Sequence, residues 1–225
     1  MLIPLVFVLA LHADQNDAAK LFHQMETKVT TAKTLDCTFD VKLQGKETGD
    51  LKGELTLGEG NKFAFEMSGE IGGKQGKSSQ VSNGVQIQIA EFGKEKQTQN
   101  VSKEQNEFLR AALARSGLVI PMHIASHTEK PGEFNIDKEF KVSDLKLGKK
   151  EKVGDHEAQV IDYNLQVKDM KETIPVSVWV DTKTDLPLKR VITTTMGKEK
   201  VTITETYSKL NPNEKVENKK FELPK

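Results

Sequence analysis

The spacing of apolar residues changes period near residue 34. Between Asp17 and Thr31 the apolar residues recur every three or four positions, which predicts an amphipathic helix. Between Leu35 and Leu43 they alternate with polar residues, which predicts a half-buried strand. The pattern therefore predicts a helix that leads into the first strand of a sheet.

Alternation of this kind returns after short turns along most of the chain. The further predicted strands cover residues 51–57, 63–67, 85–89, 140–147, 157–167, 173–181, 188–196 and 200–210. Residues 69–78, rich in glycine and lysine, are predicted as a hairpin loop, and Ser82-Asn-Gly84 as a hairpin turn. Such short connections indicate an antiparallel meander, because parallel neighbours need long crossovers.

A second helical region interrupts the meander. Ser102-Lys-Glu-Gln105 matches a capping box, an apolar stripe follows it, and Gly117 is predicted to end the helix. Leu118 to Ala125 is predicted as a second apolar piece, a short helix opened by Pro121. One antiparallel sheet, long enough to curl, with helical segments against it, is the predicted fold.

The first 13 residues form an apolar run of the length found in secretory signals, ending at the small residue Ala13. The prediction is a signal peptide over 1–13 that is cleaved after Ala13, a single domain over 14–225, and a periplasmic location. The alternative interpretation of the run is a buried N-terminal strand or helix.

Charge and cysteine content narrow the function classes. The chain has 225 residues, 33 basic and 33 acidic, and only three arginines, so its charge pattern does not favour nucleic acid as a partner. Cys37 is the only cysteine, which excludes an intramolecular disulfide and indicates a small buried residue.

Two near-matches to chemical motifs fail. Residues 72–78 resemble a phosphate-binding loop, but Ile71 stands where a glycine is needed and a strand follows. His123 and His127 have zinc-protease spacing, but Ile124 replaces the glutamate that would act as the base. The sequence therefore predicts no enzyme, no metal site and no cofactor.

Apolar residues remain as the candidate functional surface. Either they form an ordinary core, or they line a cavity inside a curled sheet, with the central helices as its plug or lid. The candidate cavity residues are Phe39, Leu55, Phe63, Phe65, Met67, Ile87, Phe108, Leu109, Leu113, Leu118, Ile120 and Met122.

The order of short motifs resembles the periplasmic outer-membrane lipoprotein carrier superfamily of LolA and LolB. After the helix come a strand centred on Phe39, then Gly53-Glu-Leu-Thr-Leu57 with Asn61-Lys-Phe63-Ala-Phe65, then the turn at Asn83-Gly84. The likeness continues in Val178-Trp-Val-Asp181 with Asp185-Leu-Pro-Leu-Lys-Arg190 and ends in Phe221-Glu-Leu-Pro224.

The resemblance implies an α+β, mainly antiparallel fold: an unclosed curved β-barrel with an N-terminal helix and a central helical lid or plug. It further implies an apolar cavity for acyl chains, with no catalytic residue. One departure stands out. The family's LolA carries an arginine that holds the lid closed just before its Pro-Asn, whereas this chain has Glu59 and Gly60 there.

The predicted function is an exported, non-enzymatic carrier or binder of lipids or of lipoprotein acyl chains. Membrane donor and acceptor proteins are candidate partners, with peripheral membrane contact and no nucleic acid. The alternative is an envelope sensor or scaffold module that has a filled core and binds protein partners.

Overall fold

The computed structural model describes residues 6–46, 48–91, 94–118, 134–170, 172–196 and 199–224, with the backbone alone for 6–15 and 196. Helix α1 spans Val6–Thr30, α2 spans Gln105–Arg115, and α3 is a single turn at Ile136–Glu139. A 3-10 turn lies at Asn218–Phe221. No helix in these ranges is both long and apolar enough to cross a membrane.

The described residues form eleven strands in one antiparallel sheet. In chain order they are β1 Leu35–Gln44, β2 Gly49–Leu57, β3 Lys62–Ile71, β4 Lys74–Asn83, β5 Gln86–Ala90, β6 Gln97–Asn100, β7 Phe140–Val153, β8 His156–Val167, β9 Ile174–Asp181, β10 Pro187–Met196 and β11 Glu199–Pro212. Their spatial order is β6-β5-β4-β3-β2-β1-β11-β10-β9-β8-β7, so two meanders meet at a central pair.

The central pair of the sheet joins its two halves. β1 and β11 run antiparallel from Leu35↔Pro212 to Gln44↔Thr202, with a bulge between Thr38 and Phe39. The predicted alternation of β1 is confirmed, since its apolar residues are buried and its polar residues are half-buried or exposed. Phe39 lies so close to Gly53 on β2 that a Cβ there would come within 2.8 Å of the ring, which explains the glycine within a strand.

The hairpin predicted over 69–78 has a shorter loop than expected. β3 runs to Ile71 and β4 begins at Lys74, so only Gly72 and Gly73 form the turn. Both have positive φ, 58° and 77°, as a two-residue hairpin turn with this twist requires. The prediction of a loop is therefore wrong for the flanking residues, which extend the strands.

The two edges of the sheet are polar. β6 consists of four exposed polar residues and was not predicted, because it lacks any apolar alternation. β7, at the other edge, carries a charged run from Lys146 to Lys152. Polar and lysine-rich edges discourage pairing with further strands, so the sheet stays unclosed between β6 and β7, as the predicted fold class requires.

Helix α1 is continuous from Val6, so the predicted helix start at Asp17 is too late. Its buried residues are those of the predicted stripe, including Ala18, Phe22, Met25 and Val29. The signal peptide and its cleavage after Ala13 remain predictions.

Candidate functional site

The first turn of α2 is held by two asparagines. Asn61, in the turn between β2 and β3, accepts the backbone N–H of Asn106 at 3.2 Å and donates to the carbonyl of Lys103 at 2.6 Å. Asn106 donates its side-chain amide to the carbonyls of Gly58 and Lys62, at 2.8 and 3.1 Å. The Asn106 N–H is one of the donors that a helix N-terminus would otherwise leave unpaired, and the four bonds together fix α2 to the first meander.

The capping box predicted at Ser102 does not form. The helix begins after Glu104, and the Ser102 hydroxyl instead contacts the backbone N–H and the carboxylate of Glu104, at 3.3 and 2.9 Å. The prediction is wrong because Asn61, which is distant in sequence, supplies the acceptor that a local serine was expected to supply.

The last turn of α2 is held by a buried arginine of the second meander. Arg190, on β10, is 0% exposed and donates to the carbonyls of Leu113 and Ala114, both at 2.8 Å. Tyr163, on β8, donates to the carbonyl of Arg115 at 2.5 Å. Carbonyls at a helix C-terminus have no partner within the helix. Side chains of the sheet donate the hydrogen bonds that these carbonyls would otherwise lack.

A carboxylate accepts a hydrogen bond from the backbone just beyond the helix. Both oxygens of Glu205, on β11, accept the N–H of Leu118, at 2.9 and 3.0 Å, and the hydroxyl of Tyr207 donates to one of them at 2.6 Å. Gly117 has a φ of 77°, and a Cβ there would come within 2.7 Å of the Glu205 carboxyl carbon. The glycine therefore both ends the helix, as predicted, and lets the chain approach the carboxylate.

Arg190, Glu205, Tyr207 and Tyr163 form what we term the latch cluster. Arg190 Nη1 also donates to the Tyr207 hydroxyl at 3.0 Å, so one oxygen links the guanidinium to the carboxylate. Among the described residues, Nε of Arg190 has no hydrogen-bond partner. The cluster contacts α2 through main-chain groups alone in the bonds observed.

Charges within the latch cluster are well defined. Burial lowers the pKa of Arg190, but Tyr163, Tyr207 and Glu205 outweigh that effect and the pKa is raised. Burial raises the pKa of Tyr207 well above its ordinary value and also raises the pKa of Tyr163. Arg190 is therefore a cation at neutral pH, while both tyrosines are neutral donors.

The opposite side of α2 contacts α1 and the start of the second meander. Arg110 donates to the carbonyls of Ala32 and Lys33, at 2.8 and 2.9 Å. Arg115 pairs with Glu26 of α1, and its Nη1 donates to the carbonyl of Phe140 at 2.7 Å. Contacts from both meanders thus converge on α2, so the sheet curls around this helix.

The predicted cavity residues mostly come together, but around a helix. Phe39, Leu55, Phe63, Phe65, Ile87, Leu109, Leu113 and Leu118 are buried in one apolar cluster, against which Met67 and Phe108 are partly buried. Ile120 and Met122 lie outside the described residues. Leu109, Leu113 and Leu118 are 2%, 0% and 1% exposed. Helix α2 and Leu118, which together we term the α2 segment, fill the space next to the apolar wall of the first meander.

Sequence reasoning missed the latch cluster, although a signal was present. Arg190 has the same strand parity as Ile192, and Glu205 has the parity of Val201, Ile203 and Tyr207, all of which face inward. Charged residues are almost never fully buried unless paired. An arginine and a glutamate at inward positions of adjacent strands therefore indicate a buried polar contact, and they are cross-strand partners in the register.

A separate groove of about 690 Å³ lies where β10 and β11 separate. β10 pairs with β11 from Lys189↔Thr206 onward, while the end of β11 continues beside β1. The other wall is the turn after β9, where Asp181 accepts the N–H of Lys183 at 2.7 Å and contacts Nδ1 of His156 at 2.8 Å. None of the predicted cavity residues lines this groove.

The hairpin of β9 and β10 places two of its valines inward. Val178 and Val180 are 0% exposed. Trp179 faces outward, donates to Glu151 at 2.8 Å and lies 4.2 Å below the ammonium of Lys189. His123 and His127 lie outside the described residues, and within those residues no group of three metal-ligating side chains converges.

Comparisons with known proteins identify relatives of this fold. LprF from Mycobacterium bovis is 8% identical, with a TM-score of 0.50 over 87% of this chain and 93% of that chain. MucB is 14% identical, with a TM-score of 0.48 over 93% of this chain, which spans 63% of the MucB chain. A LolA superfamily protein from Nitrosomonas europaea is 8% identical, with a TM-score of 0.36 over 92% and 97%. No curated protein matches the sequence.

An unclosed, mainly antiparallel sheet with an N-terminal helix and a short central helix is the class of fold that this structure defines, and a LolA superfamily protein is among its structural neighbours. At such identities the likeness concerns the fold alone. A family model described as "Predicted periplasmic protein (DUF2092)" matches residues 18–224. The chain belongs to this family.

Proposed function

We propose that the protein is an exported, non-enzymatic binder of acyl chains, carried by lipids or lipoproteins, in the space that the α2 segment occupies here. The observation that supports this proposal is that α2 covers the apolar wall of the sheet. A short helix fills the curl of the sheet and is tied to it by bonds to its main chain at both ends. A cover held in this way can be exchanged for another apolar occupant.

The free energies of burying apolar groups indicate which ligands can replace the buried leucines of the α2 segment. Exposing the three buried leucines of the α2 segment costs about 5–9 kcal/mol, at about 1.5–3 kcal/mol for each side chain. An acyl chain gains about 0.8 kcal/mol for each buried CH₂, so about 6–11 CH₂ groups offset the leucines. A chain of membrane-lipid length therefore provides enough burial to offset the three leucines.

The test is native mass spectrometry of the detergent-free protein after incubation with phospholipid vesicles. We expect discrete added masses that extract as lipid. Phe65→Asp places a charge on the wall and should remove these masses, because burial of an unpaired charge is costly. The matched control is Val85→Asp, since Val85 is 71% exposed in a turn. Equal lipid loading of both variants would contradict the proposed site.

The closed interior favours a second candidate function, the envelope sensor or scaffold module that binds protein partners. Leu109, Leu113 and Leu118 are buried in the apolar cluster and occupy space that a ligand would need. A bare polypeptide mass that stays bare after exposure to vesicles would favour this candidate over the acyl-chain binder.

A further inference from the structure

The groove between the start of β10 and the end of β11 is bordered by the main chain of β11. Every residue from Thr206 to Pro212, at the end of that strand, lines it. Successive side chains of a strand point to opposite faces, so consecutive residues can share one surface only along the edge of the strand. The groove therefore runs beside a strand edge, where main-chain N–H and C=O groups are presented.

That edge has no neighbouring strand beyond Thr206. The pairs between β10 and β11 begin at Lys189↔Thr206, whereas β11 continues beside β1 as far as Pro212. Two local features account for the separation of the strands. Pro187, at the start of β10, has no N–H to donate, and the register of β11 against β1 skips Ser208, which marks a bulge. The gap that results is the groove of about 690 Å³.

The main-chain groups of Leu210 point into this gap. Just beyond the strand, the N–H of Asn213 donates to the carbonyl of Thr34, on the β1 side, at 2.8 Å. Because alternate residues of a strand direct N–H and C=O to the same side, Asn211 and Lys209 also face β1, while Leu210 faces away from it. In the part of the chain that the structure describes, no strand or loop on that side is hydrogen-bonded to Leu210. An unpaired N–H and C=O on a strand edge are a template for another strand.

The opposite bank of the groove is apolar. Val153, Leu186 and Leu188 line it, and all three are half-buried. They give an occupant apolar surface to cover, in addition to the main-chain groups of Leu210. When a peptide is added to a sheet edge, main-chain hydrogen bonds supply the affinity and contacts with alternate side chains set the sequence preference. The groove offers both kinds of contact.

Charged side chains in the lining favour an occupant that is not acidic. Asp181 and Glu214 contribute two carboxylates, whereas Lys209 contributes one ammonium. That ammonium is already paired with Glu214 and with Asp36 of β1, at 3.3 and 2.8 Å. The lining therefore carries more negative than positive charge, which repels an acidic segment and attracts a basic one.

We propose that this groove docks an extended, non-acidic segment of a partner protein, which adds as a strand antiparallel to β11 and bonds to the main chain of Leu210. An antiparallel direction continues the course of β10. The groove lies apart from the residues proposed to line the acyl-chain site, so this inference does not depend on acyl-chain binding.

The probe is the peptide Lys-Thr-Val-Thr-Val-Thr-Lys-amide with fluorescein on its N-terminus, titrated with the intact, detergent-free protein by fluorescence anisotropy. Two matched forms are N-methylated, one at both valines and the other at all three threonines. Alternate residues of a strand present N–H to opposite edges, so one form loses its bonds to β11 and the other keeps them. We expect one of the two methylated forms to bind about tenfold or more weakly than the parent peptide, and the other to bind like the parent.

Hydrogen exchange locates the bound peptide. In the free protein, the N–H of Leu210 should exchange faster than those of Lys209 and Asn211, which are paired with β1. The parent peptide should slow exchange at Leu210 and leave its two neighbours unchanged. Absence of binding overturns the proposal, and so does binding without protection at Leu210. Equal affinity for the parent and for both methylated forms overturns it as well, because the main chain would then make no contribution.

A peptide with glutamate in place of both lysines tests the charge preference and should bind more weakly than the parent. Glu214→Gln should reduce the difference between the two peptides, whereas Glu217→Gln, at an exposed residue outside the lining, should not. Tighter binding of the glutamate peptide refutes the choice of a non-acidic partner. A dimer of the free protein that protects Leu210, and that the parent peptide does not dissociate, would assign this edge to a second copy of the chain and overturn the proposal.

Discussion

Arg190→Met is the sharpest perturbation of the fold, because it removes one charge of a fully buried cluster. The substitution deletes the bonds to the carbonyls of Leu113 and Ala114 and to the Tyr207 hydroxyl. It also removes the positive charge that acts on the buried Glu205 carboxylate, to which Arg190 is linked through the Tyr207 hydroxyl. Removing one partner of a buried charge pair costs about 3–5 kcal/mol, a large part of the roughly 5–15 kcal/mol that stabilises a typical protein.

The assay is urea unfolding followed by circular dichroism, with Lys189→Met as the matched control on the same strand. Lys189 lies over Trp179, both half-buried, and loss of this cation–π contact costs about 0.5–1 kcal/mol, or up to about 2 kcal/mol where the pair is desolvated. Arg190→Met combined with Glu205→Gln should destabilise less than the sum of the two single changes, because the two residues belong to one hydrogen-bonded cluster. If Arg190→Met is no more destabilising than the control, or if the two changes are additive, the reasoning is refuted.

Three further predictions test other parts of the structure. Gly117→Ala should destabilise more than Gly73→Ala, because both glycines have a φ of 77° but only the first would press a Cβ against Glu205; equal melting temperatures for the two variants would contradict this. Burial raises the pKa of Asp181, but hydrogen bonds from the backbone and from His156 outweigh burial and hold the pKa below its ordinary 3.8. The stability that Asp181 contributes is therefore present above about pH 4 and is lost as the pH falls through the lowered pKa. Asp181→Asn should therefore destabilise at pH 7 but have little effect at pH 2 in urea unfolding, whereas the exposed-turn variant Asp155→Asn should change little at either pH. Fatty acids of six carbons should leave α2 protected from hydrogen exchange while those of sixteen expose it, because only the longer chain offsets about 5–9 kcal/mol of leucine burial; exposure by both lengths would refute that balance.

The sheet was largely predictable because its signals are local. Each strand of β1 to β3 alternates within itself, and turns such as Gly72-Gly73 lie between the residues that they connect. Burial of individual polar residues was less predictable. Thr56 has the strand parity of the exposed residues Lys52 and Glu54 but is 3% exposed, because Asp36 and Lys220 contact it.

The candidate site was only half predictable, for the same reason. The apolar wall follows from strand parity, so most of its residues were identified. The hydrogen bonds that hold α2 depend on residues far away in the sequence, such as Asn61 at one end and Arg190 at the other. No local motif indicates such a contact, and the capping-box motif at Ser102 predicted a contact that does not form.

The pairing of β1 with β11 also affects how the chain folds. Each meander is built from neighbours in sequence, but the bonds between Leu35–Gln44 and Glu199–Pro212 join the two ends of the domain. Contacts with such a long sequence separation form slowly. A polypeptide synthesised from its N-terminus therefore exposes one edge of β1 until almost the whole chain has emerged. During that interval the unpaired strand is open to aggregation, and a folding catalyst or holdase would have most to protect there.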